Sequence, residues 1–156
     1  TGMVGRTFLK VLEEVKLPAE SYTLYASKRS AGKKLTLMGK EYEVKELNEN
    51  SFDGMDIALF SAGGATSEKF APIAASKGCL VIDNSSAWRM DPEVPLVVPE
   101  VNPEDIKKHK GIIANPNCST IQAMVALRPL QLKYGIKRIV YSSRPFPALV
   151  SAAITI

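Results

Sequence analysis

The sequence predicts a doubly wound α/β domain built on a parallel sheet, and three observations carry that reading. Several short segments are apolar nearly throughout, such as DIALFS at 56–61 and CLVID at 79–83, the pattern of strands buried on both faces. Between them lie stretches whose apolar residues recur at helical spacing. Glycines stand where such segments turn into helices, at Gly2 and Gly5 and again at Gly63 and Gly64, as they do in dinucleotide-binding folds.

Taken in order, residues 3–16 set Val4, Phe8, Val11, Leu12 and Val15 on one helical face, and Leu17-Pro18 ends that helix. Tyr22–Ala26 reads as a short strand, followed by a basic loop and strands near 35–38 and 41–45. Asp56–Ser61 is an apolar strand between Asp53-Gly54 and Gly63-Gly64, residues 66–77 are helical, and Gly78 is a C-terminal stop. Cys79–Asp83 is a buried strand, Leu96–Val98 a further short one, and a short helix runs from Pro103 to about Lys108. Gly111–Ala114 gives a strand, Ser119–Tyr134 an amphipathic helix closed by Gly135, and Arg138–Tyr141 a last strand. The alternation implies a sheet covered on both faces. Doubly wound domains open with a buried strand that feeds the glycine turn. Here the helix follows Thr1-Gly2 at once and no initiator Met is present, so the expectation is an N-terminus shortened by one strand.

The chain's 156 residues, 46% hydrophobic and 23% charged, are the profile of one ordinary soluble domain. That excludes a disordered tail and collagen-like or low-complexity classes. No apolar run approaches the roughly 18–20 residues of a membrane span, so no membrane partner is expected, and no charged-then-apolar leader argues for secretion. Two cysteines, Cys79 and Cys118, lie far apart without a CxxC or a His cluster. Neither a disulfide framework nor a metal site is expected, and a reduced, cytoplasmic setting is the default. The net charge of +4 is concentrated in Lys28, Arg29, Lys33, Lys34 and Lys40, with a second block at Lys107, Lys108, His109 and Lys110. No interleaved aromatics or nucleic-acid motif accompany either block, so nucleic acid is not an expected partner, and a small anion suits the first block at least as well. His109, the only histidine, reads as solvated surface.

Five features carry chemistry, each with a plainer alternative. Gly2 and Gly5 at the mouth of the first helix fit a pyrophosphate turn, where one glycine admits the ligand and the next allows close helix–sheet packing; an ordinary loop-to-helix junction fits them too. After Tyr22–Ala26 an NAD site carries an acidic residue for the ribose 2′-hydroxyl. This chain has Ser27, Lys28, Arg29 and Ser30 instead, donors that suit a 2′-phosphate and so NADP, or else a solvated basic loop. Ser61-Ala62-Gly63-Gly64 ends a strand with small residues that let a nucleotide lie on the backbone, or simply turn the chain. Cys79 sits inside an apolar strand and behaves there as a small hydrophobe. Cys118 precedes the helix from Ser119, where the dipole and free N–H groups favour a thiolate and an oxyanion; a capping or loop cysteine is the alternative. Arg89, after a neighbouring strand, could hold a phosphate or carboxylate, or form a surface salt bridge.

The segments TGMVG at 1–5, ASKRSAGK at 26–33, DIALFSAGG at 56–64, VIDNSSAWR at 81–89, VPLVVPEVN at 94–102 and NPNCSTIQ at 115–122 resemble the aspartate-semialdehyde dehydrogenase family, in order and from residue 1 to about 141. The resemblance implies an NADP-dependent oxidoreductase that interconverts aspartate 4-semialdehyde and phosphate with 4-aspartyl phosphate, on the route to lysine, methionine and threonine. By resemblance Cys118 is the nucleophile that passes through an acyl-thioester. Thr1, Gly2, Met3 and Val4 lie at the pyrophosphate, Arg29 and Ser30 at the 2′-phosphate, with Ser61 and Gly63 along the cofactor. Arg89 holds phosphate, and Asn117 adjoins the thiol. Family members are homo-oligomers through a substrate domain, which also carries their catalytic histidine and a carboxylate-binding arginine; His109 does not match that histidine. N-acetyl-glutamyl-phosphate reductases share the chemistry but are less similar over these segments. A non-catalytic nucleotide-binding module is the reading from another class, and a cysteine hydrolase is disfavoured because no histidine is left to act as base.

After Tyr141 the resemblance stops. Where the family continues with Gln-Ala-Val-Ser-Gly-Ala-Gly, the chain has Arg144-Pro145-Phe146-Pro147-Ala148-Leu149-Val150. The codons cag gcc gtt tcc ggc gct ggt, read one base later, give Arg-Pro-Phe-Pro-Ala-Leu and the start of Val. The expectation is a nucleotide-binding unit over 1–141 and a divergent tail over 142–156, produced by a frameshift near Ser142 or Ser143. Without the substrate domain, no useful turnover is expected of the chain alone, and the apolar tail 148–156 is prone to aggregate if exposed.

Overall fold

A computed structural model describes residues 2–143 and 150–155, the segments 142–143 and 150–155 by their backbone alone. The elements follow the order α1 (Met3–Val15), β1 (Tyr25–Ala26), β2 (Lys34–Leu37), β3 (Lys40–Glu43), β4 (Lys45–Glu46), β5 (Ile57–Phe60), α2 (Gly64–Ser76), β6 (Leu80–Asp83), β7 (Ile112–Ala114), α3 (Cys118–Tyr134), β8 (Arg138–Ser143) and β9 (Val150–Thr155). Short 3-10 turns occupy Lys28–Ser30, Glu49–Phe52 and Pro103–Lys108.

The centre is the parallel sheet β5-β6-β7. Its register pairs Phe60 with Asp83 and Asp83 with Ala114, so the three strands finish in one row. Because side chains alternate along a strand, Phe60 and Val81 share a face, and they join Phe52, Ala71, Ala74, Cys79 and Ile112 in the core. Helix α2 lies on that face, against β6 and β7. Its approach to β7 is close, since a Cβ at Gly111 would stand 2.7 Å from the Cβ of Ala75. Burying this set is the main source of cohesion, at about 25 cal/mol per Å² of apolar surface.

The second face departs from the expected two-sided cover. On β5, Ile57 is 55% exposed and Leu59 is exposed as well, and α1, which buries none of its residues, packs mainly beside β2. Its amphipathic stripe therefore leaves Val4, Val11 and Val15 at the surface.

Three further pairings lie outside the central sheet. β1 runs parallel to β4, β2 and β3 form an antiparallel hairpin, and β8 pairs antiparallel with β9 from Arg138↔Thr155 to Ser143↔Val150. The expected strand at Leu96–Val98 is reduced to an isolated bridge between Leu96 and Ala114. The strand expected over Tyr22–Ala26 forms only at its last two residues, where β4 offers a partner. His109 is half-buried rather than solvated: its Nδ1 accepts from the Gly111 N–H at 3.1 Å, which the tight turn into β7 brings within reach. Among the described residues no helix is long and apolar enough to cross a membrane.

Candidate active site

Parallel strands place all their C-terminal loops at one edge, where ligands bind in open α/β sheets. The row Phe60, Asp83, Ala114 therefore delivers Ser61–Gly63, Asn84–Arg89 and Asn115–Cys118 to the same edge. Ser61, Gly63, Arg89, Asn117 and Cys118, picked out separately in the sequence, meet there.

The first loop turns at Gly63, whose φ of +86° is left-handed backbone that L side chains rarely adopt. It opens α2, with the Ser67 N–H bonded to the Gly63 carbonyl at 3.1 Å and no capping side chain across the helix end.

In the second loop, Asp83 is fully buried and satisfied locally. It accepts from the Ser85 N–H at 3.1 Å and from the Ser85 hydroxyl at 2.5 Å, while the Ser85 oxygen accepts from the Ala87 N–H at 3.1 Å. Trp88 donates its indole N–H to the buried Ser67 hydroxyl of α2 at 2.9 Å. So braced, Arg89 directs Nε to the Asn115 carbonyl at 2.9 Å and Nη2 to the Asn84 carbonyl at 3.1 Å. Arg89 does not form the surface salt bridge that was its plainer alternative: among the described residues the ion pairs lie elsewhere.

The third loop carries Cys118, which is the first residue of α3 itself and not the residue before it. Its side chain is exposed. Asn117, also exposed, caps the helix by accepting the Ser119 N–H at 3.0 Å, the preferred use of Asn at this position. Tyr141 of β8 donates its hydroxyl to the Ser119 carbonyl at 2.9 Å. Cys79, by contrast, is buried in the core one residue before β6 and not inside the strand as expected, because the helix stop at Gly78 delays the ladder to Leu80; desolvation, helped by the negative charge of Asp56, pushes its thiol up from the ordinary value.

The remaining sequence candidates are carried by the start of α1 and the turn after β1, outside the central sheet. Gly2 caps α1 in extended backbone, with no capping side chain and no acidic residue in the first turn, and Met3 and Val4 are exposed beside it. Neither glycine is pressed by a neighbour: a Cβ on Gly2 or Gly5 meets nothing within 4 Å. The close helix–sheet contact expected at Gly5 is thus not made, because α1 packs beside β2. In the basic turn Arg29 is exposed, whereas Ser30 is buried and held by its N–H to the Ser27 carbonyl. That turn is tied to β4's approach through Gly32 N–H to Val44 carbonyl at 2.8 Å. Thr1 lies outside the described residues. Among the described residues no cluster of His, Cys, Asp and Glu is placed to hold a metal ion.

Sequence reasoning passed over Asn84, Asn115, Ser67 and Tyr141. The first two were detectable, since each immediately follows an apolar strand, in VIDN and IIAN. The Ser67–Trp88 and Tyr141–Ser119 bonds join residues 21 and 22 positions apart and leave no local pattern.

Comparison with known proteins gives a consistent set. A family model described as semialdehyde dehydrogenase, NAD binding domain, matches residues 1–109. The chain is 70% identical over 146 residues to the aspartate-semialdehyde dehydrogenase of Aquifex aeolicus, covering 92% of this chain and 43% of that protein. Among solved structures it is similar to aspartate semialdehyde dehydrogenase II of Vibrio cholerae complexed with ASA, with a TM-score of 0.86, 52% identity, and coverage of 89% of this chain and 46% of that one. It is also similar to aspartate semialdehyde dehydrogenase with NADP from Candida albicans, with a TM-score of 0.76, 30% identity, and coverage of 93% and 48%. The chain spans less than half the length of each of these proteins.

Proposed function

The chain belongs to the semialdehyde dehydrogenase family through its NAD-binding domain, and from that premise we propose that it is the cofactor-and-nucleophile part of an NADP-dependent aspartate-semialdehyde dehydrogenase. The observation that carries this reading is the exposed Cys118 opening α3 at the same sheet edge to which Arg89 is tied. Residues 1–141 form the functional unit in this proposal, and 142–156 the divergent tail, with the boundary falling inside β8.

The residues suit the cofactor. The start of α1 has N–H groups free of any capping side chain and open space at Gly2 and Gly5, which favours a pyrophosphate. We assign Thr1 to Val4 to that group, Arg29 with Ser30 to the 2′-phosphate, and Ser61 and Gly63 to the remaining length of the nucleotide. No carboxylate stands in the loop 27–33 to select a free 2′-hydroxyl. When bound, NADP supplies the hydride acceptor that takes the adduct on Cys118 from the aldehyde to the carboxylate oxidation level.

The protein's own groups do the rest. The Cys118 thiolate adds to the aldehyde carbon of aspartate 4-semialdehyde, and the S–C bond formed places an oxyanion beside the first N–H groups of α3. After oxidation the sulfur holds the aspartyl group as a thioester. A phosphate oxygen, held by Arg89, attacks the thioester carbon; the C–S bond breaks, 4-aspartyl phosphate leaves, and the thiolate is restored. Asn117 keeps the first turn of α3 in place next to the sulfur.

Running the last step backwards tests this without cofactor. Incubation with 4-aspartyl phosphate is expected to acylate Cys118, seen as a mass increase on that peptide, with Cys79 unmodified. Acylation that persists in Cys118→Ser, or its absence in the unsubstituted chain, overturns the assignment.

A further inference from the structure

Resting on the reading of Arg89 as the phosphate-holding group, we infer that Asn84 and Asn115 are positioning residues that set the Arg89 guanidinium against the Cys118 turn. Asp83 and Ala114 are register partners, so Asn84 and Asn115 leave the sheet side by side. Each extends the sheet ladder by one bond, Asn84 N–H to the Phe60 carbonyl at 2.9 Å and Asn115 N–H to the Asp83 carbonyl at 2.8 Å. Their side chains then join directly, the Asn115 amide donating to Asn84 Oδ1 at 2.7 Å. The two strand ends are closed by this clasp beyond the last residue of either strand.

Both clasped residues turn their carbonyls to the same guanidinium. An arginine has five N–H donors; two are used here, and the acceptors are neutral. The positive charge is therefore anchored without being cancelled, as a group that must receive an anion requires. Asn115 is also three residues before Cys118, with the buried Pro116 between it and the capping Asn117. One residue thus fixes the arginine with its carbonyl and the nucleophile's turn with its backbone. Breaking the amide pair leaves both carbonyls on the chain but frees the two strand ends, and the Arg89 guanidinium they carry, to shift.

The test measures alkylation of Cys118 by iodoacetamide at rising inorganic phosphate in the 156-residue chain, with the buried Cys79 as an internal reporter of an intact fold. Phosphate is expected to slow alkylation of Cys118 in the unsubstituted chain. Asn84→Ala and Asn115→Ala are each expected to raise the half-protecting phosphate concentration about three- to tenfold, the loss of one ordinary hydrogen bond. The double variant is expected to lose no more than either single one, because both remove the same contact. Arg89→Ala loses protection most.

Protection at the parent's phosphate concentration in both asparagine variants, with Arg89→Ala impaired, overturns the inference and leaves the phosphate reading standing. No protection of the parent chain, or none lost in Arg89→Ala, overturns the phosphate reading and the inference with it. Cys79 turning reactive in both single variants makes the pair merely structural, and equal reactivity of Cys79 and Cys118 in the parent removes the fold beneath it; either result overturns the inference.

Discussion

Tyr141 and Ser119 are joined by a hydrogen bond of 2.9 Å from the phenolic hydroxyl to the backbone carbonyl, which fastens β8 to the first turn of α3 one residue beyond Cys118. A nucleophile at a helix terminus is only as well placed as that terminus, and helix ends fray. Here the turn is held twice, by the Asn117 cap at the Ser119 N–H and by Tyr141 at the Ser119 carbonyl. Tyr141→Phe keeps the ring and removes the bond. It is expected to lower stability by about 0.5–1.5 kcal/mol in urea unfolding, and to raise amide exchange in residues 118–122 above that of α2.

The buried Asp83 gives a larger effect. Its carboxyl group depends on the Ser85 hydroxyl and N–H, and Ser85→Ala leaves one carboxyl oxygen without its donor and the Ala87 N–H without its acceptor. The expected loss is about 1–3 kcal/mol, the cost of a buried polar group left unsatisfied. The urea midpoint reads it, and an unchanged midpoint removes Asp83–Ser85 from the supports of the Arg89 loop.

Arg29 is exposed at the end of β1's loop and is assigned to the 2′-phosphate. Arg29→Ala is expected to weaken NADP binding about tenfold, as loss of one charge-assisted contact implies, and to leave NAD binding nearly unchanged. Titration calorimetry with both nucleotides distinguishes this from a general loss of affinity, which would place Arg29 elsewhere on the cofactor or in the fold.

Cys79 makes a prediction about alkaline pH. Burial, with Asp56 adding to it, raises its thiol above the ordinary value of 9.0. The unfolded chain releases this proton near that value, while the folded chain retains it to higher pH. The folded state then binds more protons, so stability falls as pH rises. The contribution is intact at neutral pH and is lost above about pH 9. Unfolding midpoints between pH 8 and pH 10.5 are expected to fall less steeply in Cys79→Ala than in the parent, after each is referred to its own value at pH 8.

Much of the domain is legible in the chain because burial on both faces leaves a continuous apolar run, and β6 and β7 carry that signature in LVID and IIA. α2 and α3 announce themselves through Gly63, Gly78 and Gly135, each at positive φ. Tyr22–Ala26 is harder, since strand pairing needs a partner and only Tyr25 and Ala26 meet one, in Lys45 and Glu46. The apolar stripe of α1 is equally legible as amphipathic, yet periodicity specifies which residues want cover and says nothing of what covers them. Val4, Val11 and Val15 remain exposed.

Read alone, the chain puts Cys118 at the start of a helix, Cys79 beside an apolar strand and a basic loop after β1, since all three are properties of residues adjacent in the chain. It takes the folded chain to anchor Arg89 on the carbonyls of Asn84 and Asn115, to hold Trp88 through Ser67, and to secure the turn of Cys118 through Tyr141. Local propensity acts over a few residues, whereas hydrogen bonds between loops exist only after the register of β5, β6 and β7 has brought their ends into one row.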